Sequence, residues 1–312
     1  MLALYISLGV VAFLIILFFI VTYFSYRVSF YNDAKYGDHF EPVKGPQVDP
    51  YHDLMKKMIK EASLIPISKE VDIKAFDKLN LHGNLYIQNE AYPWCIQVHG
   101  YKGIGFRDFS GGLKEFLARG YNVLQIDQRG HGKSGGRTIT FGVKEHKDVM
   151  SWISYINKEY NNPPIILYGI SMGGNTVCLN SGDNLPSNVK GIIADCPYTS
   201  VKDITCNTAF NAGKLSPKIT KLLLTPAARI YGHFSYLDGD AREAVKKSKT
   251  PILIISGDED RLVPPYMPKA IKDANPEMIR LVFIKGAPHG LSYIIDNKTV
   301  LEEVTNFLNR VM

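Results

Sequence analysis

The chain has 312 residues, 46% hydrophobic and 21% charged, with a formal net charge of +6 at pH 7. That balance excludes a disordered chain. Its Lys and Arg are dispersed rather than blocked together, which excludes a nucleic-acid footprint and leaves at most mild attraction to anionic lipid.

From Leu2 to Phe24 there is no charged side chain, and the first charge is Arg27. Such a stretch is long enough to cross a bilayer as one helix, with Tyr5, Tyr23 and Tyr26 near the interfaces. A cleaved signal peptide fits less well: no Lys or Arg precedes the apolar run and no small-x-small site follows it. The expectation is a single-pass anchor over residues 1–27. Arg27, Lys35 and Lys44 follow the span, so the positive-inside rule favours a cytoplasmic domain. The bias is small, and an outward-facing domain is the alternative.

Residues 28–63 read as a linker and a short helix. Gly37, Pro42, Gly45, Pro46 and Pro50 punctuate the linker. Leu54, Met58 and Ile59 give Tyr51–Ser63 an amphipathic helical spacing. Residues 64–312 then form the main domain. Val71–Phe76 and Leu79–Ile87 alternate apolar and polar residues, as an antiparallel pair at a sheet edge does.

After that pair the rhythm is strand, loop, helix. Buried strands are expected at Trp94–Val98, Tyr121–Ile126, Pro164–Tyr168, Val189–Ala194, Pro251–Ser256 and Ile279–Lys285. Helices are expected at Gly111–Arg119, Val143–Tyr160 and Thr299–Val311. This alternation predicts an α/β fold with a mostly parallel central sheet flanked by helices. Residues 198–250 break the rhythm and read as a small helical cap, with helices near Ile219–Leu224 and Ala241–Lys247. In such sheets, loops at the carboxyl ends of the strands converge on one crevice. His99, Asp127, Ser171, Asp195, Asp258, Asp260 and His289 all fall at or just beyond such ends.

Gly169-Ile170-Ser171-Met172-Gly173 is a G-x-S-x-G pattern on a strand-to-helix turn. Small residues are needed at Gly169 and Gly173 for a turn tight enough to lift the Ser171 hydroxyl clear of the sheet. A serine hydroxyl needs a base, and the base needs a group to hold it. Among eight histidines, His289 is the base candidate, because Gly286-Ala287-Pro288-His289-Gly290 is a loop after the last strand. Asp260 is the preferred acid, from the loop of the preceding strand, with Asp258 and Asp195 as alternatives.

The order Ser171, Asp260, His289 resembles the α/β-hydrolase superfamily. The matching segments are HGYKG at His99–Gly103, DQRGHGKSGG at Asp127–Gly136, YGISMGG at Tyr168–Gly174, DEDRLVP at Asp258–Pro264 and GAPHG at Gly286–Gly290. The chain looks most like the single-span, membrane-anchored serine hydrolases of that superfamily. The resemblance implies Ser171 as nucleophile, His289 as general base and then acid, and Asp260 as its orienting carboxylate. It also implies an oxyanion hole from the backbone N–H groups of Met172 and Tyr101, with Arg129 and His131 fixing a turn. One departure is Ser256 before Gly257, where the family often has histidine; it leaves Asp258 open beside Asp260.

The implied function is hydrolysis of a carboxylic ester or thioester, of an acylated or lipid-like substrate, in the manner of esterases, lipases and thioesterases. Two alternatives are a peptidase or amidase using the same groups, and a non-catalytic, membrane-tethered binding protein on a hydrolase scaffold. A carbon–halogen enzyme of this fold usually carries a carboxylate where Ser171 stands. No metal, cofactor or nucleic acid is expected: the sequence has no H-E-x-x-H, no cysteine pair and no phosphate loop. Cys95, Cys178, Cys196 and Cys206 are expected as free, buried thiols.

Overall fold

The computed structural model describes residues 1–33, 35, 40–42 and 44–312. Gly37, Asp38 and His39 of the expected linker lie outside the described residues. Eight strands form one sheet: β1 (Lys69–Lys74), β2 (Asn80–Tyr86), β3 (Trp94–Val98), β4 (Asn122–Asp127), β5 (Ile165–Ile170), β6 (Val189–Asp195), β7 (Ile252–Gly257) and β8 (Ile279–Ile284). Their spatial order is β1-β2-β4-β3-β5-β6-β7-β8. β1 and β2 run antiparallel, and every pairing from β4 through β8 is parallel.

The helices are α1 (Leu2–Phe30), α2 (His52–Ser63), α3 (Gly105–Asp108), α4 (Gly112–Ala118), α5 (Glu145–Glu159), α6 (Met172–Asn180), α7 (Val201–Gly213), α8 (Pro217–Ala227), α9 (Ala241–Val245), α10 (Tyr266–Ala274), α11 (Ser292–Ile295) and α12 (Asn297–Val311). Successive strand residues point to opposite faces, and both faces of this sheet are apolar. Ile96, Leu124, Leu167, Ile192 and Ile254 meet α5, α6, α9 and α10 on one side. Cys95, Val123, Ile166, Ile193 and Leu253 meet α4 and α12 on the other. A sheet covered on both faces explains why the central strands read as continuous apolar runs.

A third apolar cluster caps the carboxyl end of the sheet. It joins Met172 after β5, Tyr198 and Val201, Leu224 and Ala227 of α8, Val263, and Tyr26 and Phe30 of α1. The N-terminal helix therefore does not stop where the uncharged run stops: it continues to Phe30, with Thr22, Tyr26 and Phe30 buried against the domain. The Phe30 ring sits against Phe141, Phe234 and Tyr236, with centroids 5.9, 5.1 and 6.3 Å away. Nor does the chain beyond it start as a free linker. The Asn32 amide donates to the Arg137 carbonyl (2.8 Å) and the Ile139 amide to the Phe30 carbonyl (2.7 Å).

Residues 198–250 contain α7, α8, a wide turn at Ala228–Gly232 and α9. No clear local pattern marks α7. Its N-cap is Ser200, whose hydroxyl accepts the Asp203 amide. The four cysteines are free, and Cys206 is half-exposed instead of buried.

Candidate active site

β5 ends in a sharp turn at Ser171, whose φ of 56° and ψ of −112° are unusual for a residue with a side chain. The Ser171 amide donates to the Asp195 carbonyl (2.8 Å) and the Asn175 amide to the Ser171 carbonyl (2.9 Å), which pins the turn from both sides. The glycines are sterically required. A Cβ at Gly169 would lie 2.1 Å from the Gly173 carbonyl oxygen, and one at Gly173 would lie 1.8 Å from the Val98 carbonyl oxygen.

Ser171 and His289 are 118 residues apart in sequence, yet the Ser171 Oγ is 2.8 Å from the His289 Nε2. The other ring nitrogen, Nδ1, is 2.7 Å from Asp260 Oδ2. A carboxylate can only accept, so Nδ1 carries the proton and Nε2 accepts from the serine hydroxyl. Asp260 is buried, and its Oδ1 accepts the amides of Leu262 (2.9 Å) and Val263 (2.7 Å). Main-chain donors thus fix Asp260 in place before it meets the imidazole. Burial opposes charge on His289, but the charge and hydrogen bond of Asp260, with Asp195 and Asp108 beyond, outweigh it and raise its pKa.

The two other acids do different things. Asp258 is exposed, and its Oδ1 accepts the Gly286 amide (2.6 Å), bracing the loop that carries His289. Asp195 is buried at the end of β6, and among the described residues its Oδ1 has no partner. Burial raises its pKa to about 7, partly offset by His289.

The loop after β3 passes close to Ser171: a Cβ at Gly100 would stand 3.4 Å from the Ser171 Cβ. Asp108 Oδ2 accepts the Gly100 amide (2.8 Å), and Asp108 Oδ1 pairs with Arg107 Nε (3.0 Å). His131 takes the Lys102 amide on Nε2 (3.0 Å) and donates from Nδ1 to the Arg129 carbonyl (2.9 Å). His99 behaves alike, donating to the Gly100 carbonyl (2.8 Å) and accepting the Gln128 amide (3.1 Å). Burial pushes both imidazoles toward the neutral form. These acceptors take the amides on either side of Tyr101. Among the described residues, no internal hydrogen bond takes the Tyr101 or the Met172 amide. Arg129 is the turn anchor that the sequence suggested, bonded to Asp148 and Asp77.

A cavity of about 420 Å³ opens at Ser171 and His289, a size ordinary for a small-molecule site. Its walls include Tyr168, Asp195, Leu291 and Tyr293, and also Lys44–Val48, Met55 and Met58. The stretch expected to be a linker is therefore a wall of the cavity. Gln47 Nε2 clasps it to the acid loop by donating to the Glu259 carbonyl (2.9 Å). Met55 and Met58 stand three residues apart on α2, a spacing that puts both on one face of the helix.

Among the described residues, the remaining histidines do not join the site. His52 lies by Glu41 and Asp53, His82 by Asp72, and His146 by Asp183, while His233 caps the wide turn. Cys196 Sγ is 3.9 Å from His289 Nε2. With Asp260 these form the one group among the described residues that approaches a metal-ligand set. Both Asp260 oxygens and both His289 nitrogens are already engaged, so an ion there would break the chain of hydrogen bonds from Ser171.

Residues 94–238 match the family described as Serine aminopeptidase, S33. The chain is 24% identical over 280 residues to YqkD of Bacillus subtilis, covering 87% of each. It is 25% identical over 244 residues to a monoacylglycerol lipase of Mycolicibacterium smegmatis, covering 68% of this chain and 86% of that protein. It superimposes on the Pyrococcus furiosus esterase Pf2001 with a TM-score of 0.66 at 24% identity, covering 81% of this chain and 94% of the esterase. Fold, family match and relatives agree: the chain has the α/β-hydrolase fold, and residues 94–238 carry the match to a hydrolase family.

Proposed function

We propose that this protein is a serine hydrolase that cleaves carboxylic esters or thioesters of acylated, lipid-like substrates. The observation that carries the reading is the run of hydrogen bonds from Ser171 through His289 to Asp260 at the wall of an apolar cavity. Ser171 Oγ attacks the acyl carbon as His289 Nε2 takes its proton, and Asp260 steadies the imidazolium. The tetrahedral oxyanion receives the free amides of Met172 and Tyr101; each such donor typically contributes about 3 kcal/mol to the transition state. His289 then protonates the departing alcohol or thiol. Water attacks the acyl-enzyme by the same route in reverse and restores Ser171.

The preference for acyl substrates rests on the cavity walls, where Met55, Met58, Leu291 and Ile294 offer apolar surface, and on the acylglycerol-hydrolysing relative. In this reading, residues 198–250 act as a cap over the site. α1 anchors the enzyme in a membrane: its uncharged run meets the length a bilayer requires. The family description favours a second reading, removal of an N-terminal amino acid by the same groups. Fluorophosphonate labelling tests the core claim, with the wild type labelled and Ser171→Ala not. Equal labelling of the two would remove Ser171 as nucleophile. Turnover of aminoacyl amides with none of acyl esters would replace the first reading by the second.

A further inference from the structure

We propose that the surface formed by α7, α8 and the wide turn after them is a second membrane-contacting element, which lies on an anionic bilayer beside the anchor. The proposal rests on α1 spanning that bilayer.

The position of α1 sets the level. Its exposed apolar part runs from Leu2 to Val21, which at 1.5 Å per residue is about 30 Å, the thickness of a hydrocarbon core. The domain meets α1 at the end of that length. The Tyr231 hydroxyl donates to the Phe19 carbonyl (3.1 Å), and its ring packs on Tyr23 and Tyr26 at 5.3 and 5.7 Å. Tyrosines in such a cluster suit the headgroup level. α8 packs along α1 at the same place, so a bilayer that holds Leu2–Val21 reaches α8.

The chemistry of α8 fits that location. Thr220, Leu224 and Ala227 form its buried stripe. Helical geometry puts Leu222 opposite that stripe, where it is 72% exposed, with Ile219 beside it at 47%. Phe210 and Leu215, just before α8, are also exposed. Apolar side chains turned outward from a helix already packed on its other side have no partner within the fold. Charge completes the pattern. Between Ile204 and Leu237 there is no Asp or Glu, whereas Lys214, Lys218, Lys221 and Arg229 are present. Apolar residues flanked by basic ones, with no acid, match the surface of an anionic leaflet.

The test uses the full chain in nanodiscs. Leu222→Cys in a Cys206→Ser background carries an environment-sensitive fluorophore, and the discs contain a phospholipid spin-labelled near its headgroup. A label at Glu277→Cys, at the amino-terminal edge of the sheet, is the solvent control, and one at Leu14→Cys reports the anchor. The expected result is at least twofold stronger quenching at Leu222 than at Glu277. That quenching should be greater in phosphatidylserine discs than in phosphatidylcholine discs, and the difference should vanish in a Lys214→Gln, Lys218→Gln, Lys221→Gln variant. Quenching at Leu14 but not at Leu222 overturns this proposal and leaves the anchor standing. No quenching at either overturns both. A Leu222 label that is shielded yet unquenched indicates a protein partner or a second copy instead, and also overturns it. Equal quenching in the two lipids overturns the anionic preference.

Discussion

Asp195 offers a quantitative check, because it is a carboxyl group in the interior with an oxygen that no described residue satisfies. Its folded pKa of about 7 compares with about 3.9 for an ordinary aspartate, a difference of roughly 3 units. Each unit corresponds to about 1.4 kcal/mol, so ionising Asp195 in the folded state costs on the order of 4 kcal/mol. The sign follows from proton uptake. Between about pH 4 and pH 7 the folded protein holds a proton that the unfolded chain has released, so stability falls as pH rises through that window. Below about pH 4 the cost is absent, and above about pH 7 it is complete. Asp195→Asn keeps the shape and removes the titration. For a domain of this size 1 kcal/mol moves Tm by about 2–4 °C, so the variant should melt roughly 10 °C above the wild type at pH 8 relative to any gap at pH 4. Thermal melts of both proteins across that range measure it. A gap that does not change with pH would refute the reasoning, since Asp195 would then ionise as it does in water.

Other substitutions probe the site directly. Asp260→Asn should lower kcat by about 10⁴-fold, while Asp195→Asn should stay within about tenfold of wild type on an ester substrate. Activity needs neutral His289, so kcat/KM rises with pH through its raised pKa. Removing the Asp260 charge lowers that pKa, and the residual activity of Asp260→Asn should have its acid limb at lower pH; a limb moved upward would contradict the assignment. Gly173→Ala drives a Cβ to 1.8 Å from the Val98 carbonyl and should abolish folded protein, whereas Gly213→Ala, whose Cβ meets nothing closer than 4.0 Å, should express and melt like wild type. Met58→Trp fills the cavity wall and should lower kcat/KM for long-chain esters about tenfold while sparing acetate esters.

What could be read from the chain was what local pattern determines. The strands announce themselves by apolar runs that a doubly covered sheet requires. Ser171 sits in a turn whose glycines are needed within a few residues of it, and Asp260 and His289 follow at the ends of the last two strands. α10 was hidden because Pro264, Pro265 and Pro268 look like a loop, although Pro at the start of a helix costs little. The role of Asp108 could not be read, nor could the reach of His131 beyond its own turn. Their partners, the Gly100 and Lys102 amides, belong to another loop, and only folding brings them together. The same holds for Asp258, which the sequence left open beside the preferred Asp260. Two residues apart, one accepts three donors in the interior and the other braces a loop from the surface.

The contact between α1 and the domain bears on how the site is kept in shape. Phe30 is wholly buried among three aromatic rings, a position whose truncation to alanine typically costs about 3–5 kcal/mol. One of those rings, Phe141, stacks on Tyr101 at 5.1 Å, and the Tyr101 hydroxyl donates to the Ser29 carbonyl at 3.4 Å. Tyr101 is the residue whose amide faces the proposed oxyanion. The end of α1 thus buttresses the loop that must hold this donor still, while Lys44–Val48 and α2 wall the cavity on its other side. A donor is effective in catalysis to the extent that it is already in place when charge develops. It follows that removing the N-terminal fifty residues does more than delete the proposed anchor: it takes away the support of the proposed oxyanion donor and part of the cavity wall. A shortened chain could keep Ser171, His289 and Asp260 in order and still be a poor catalyst.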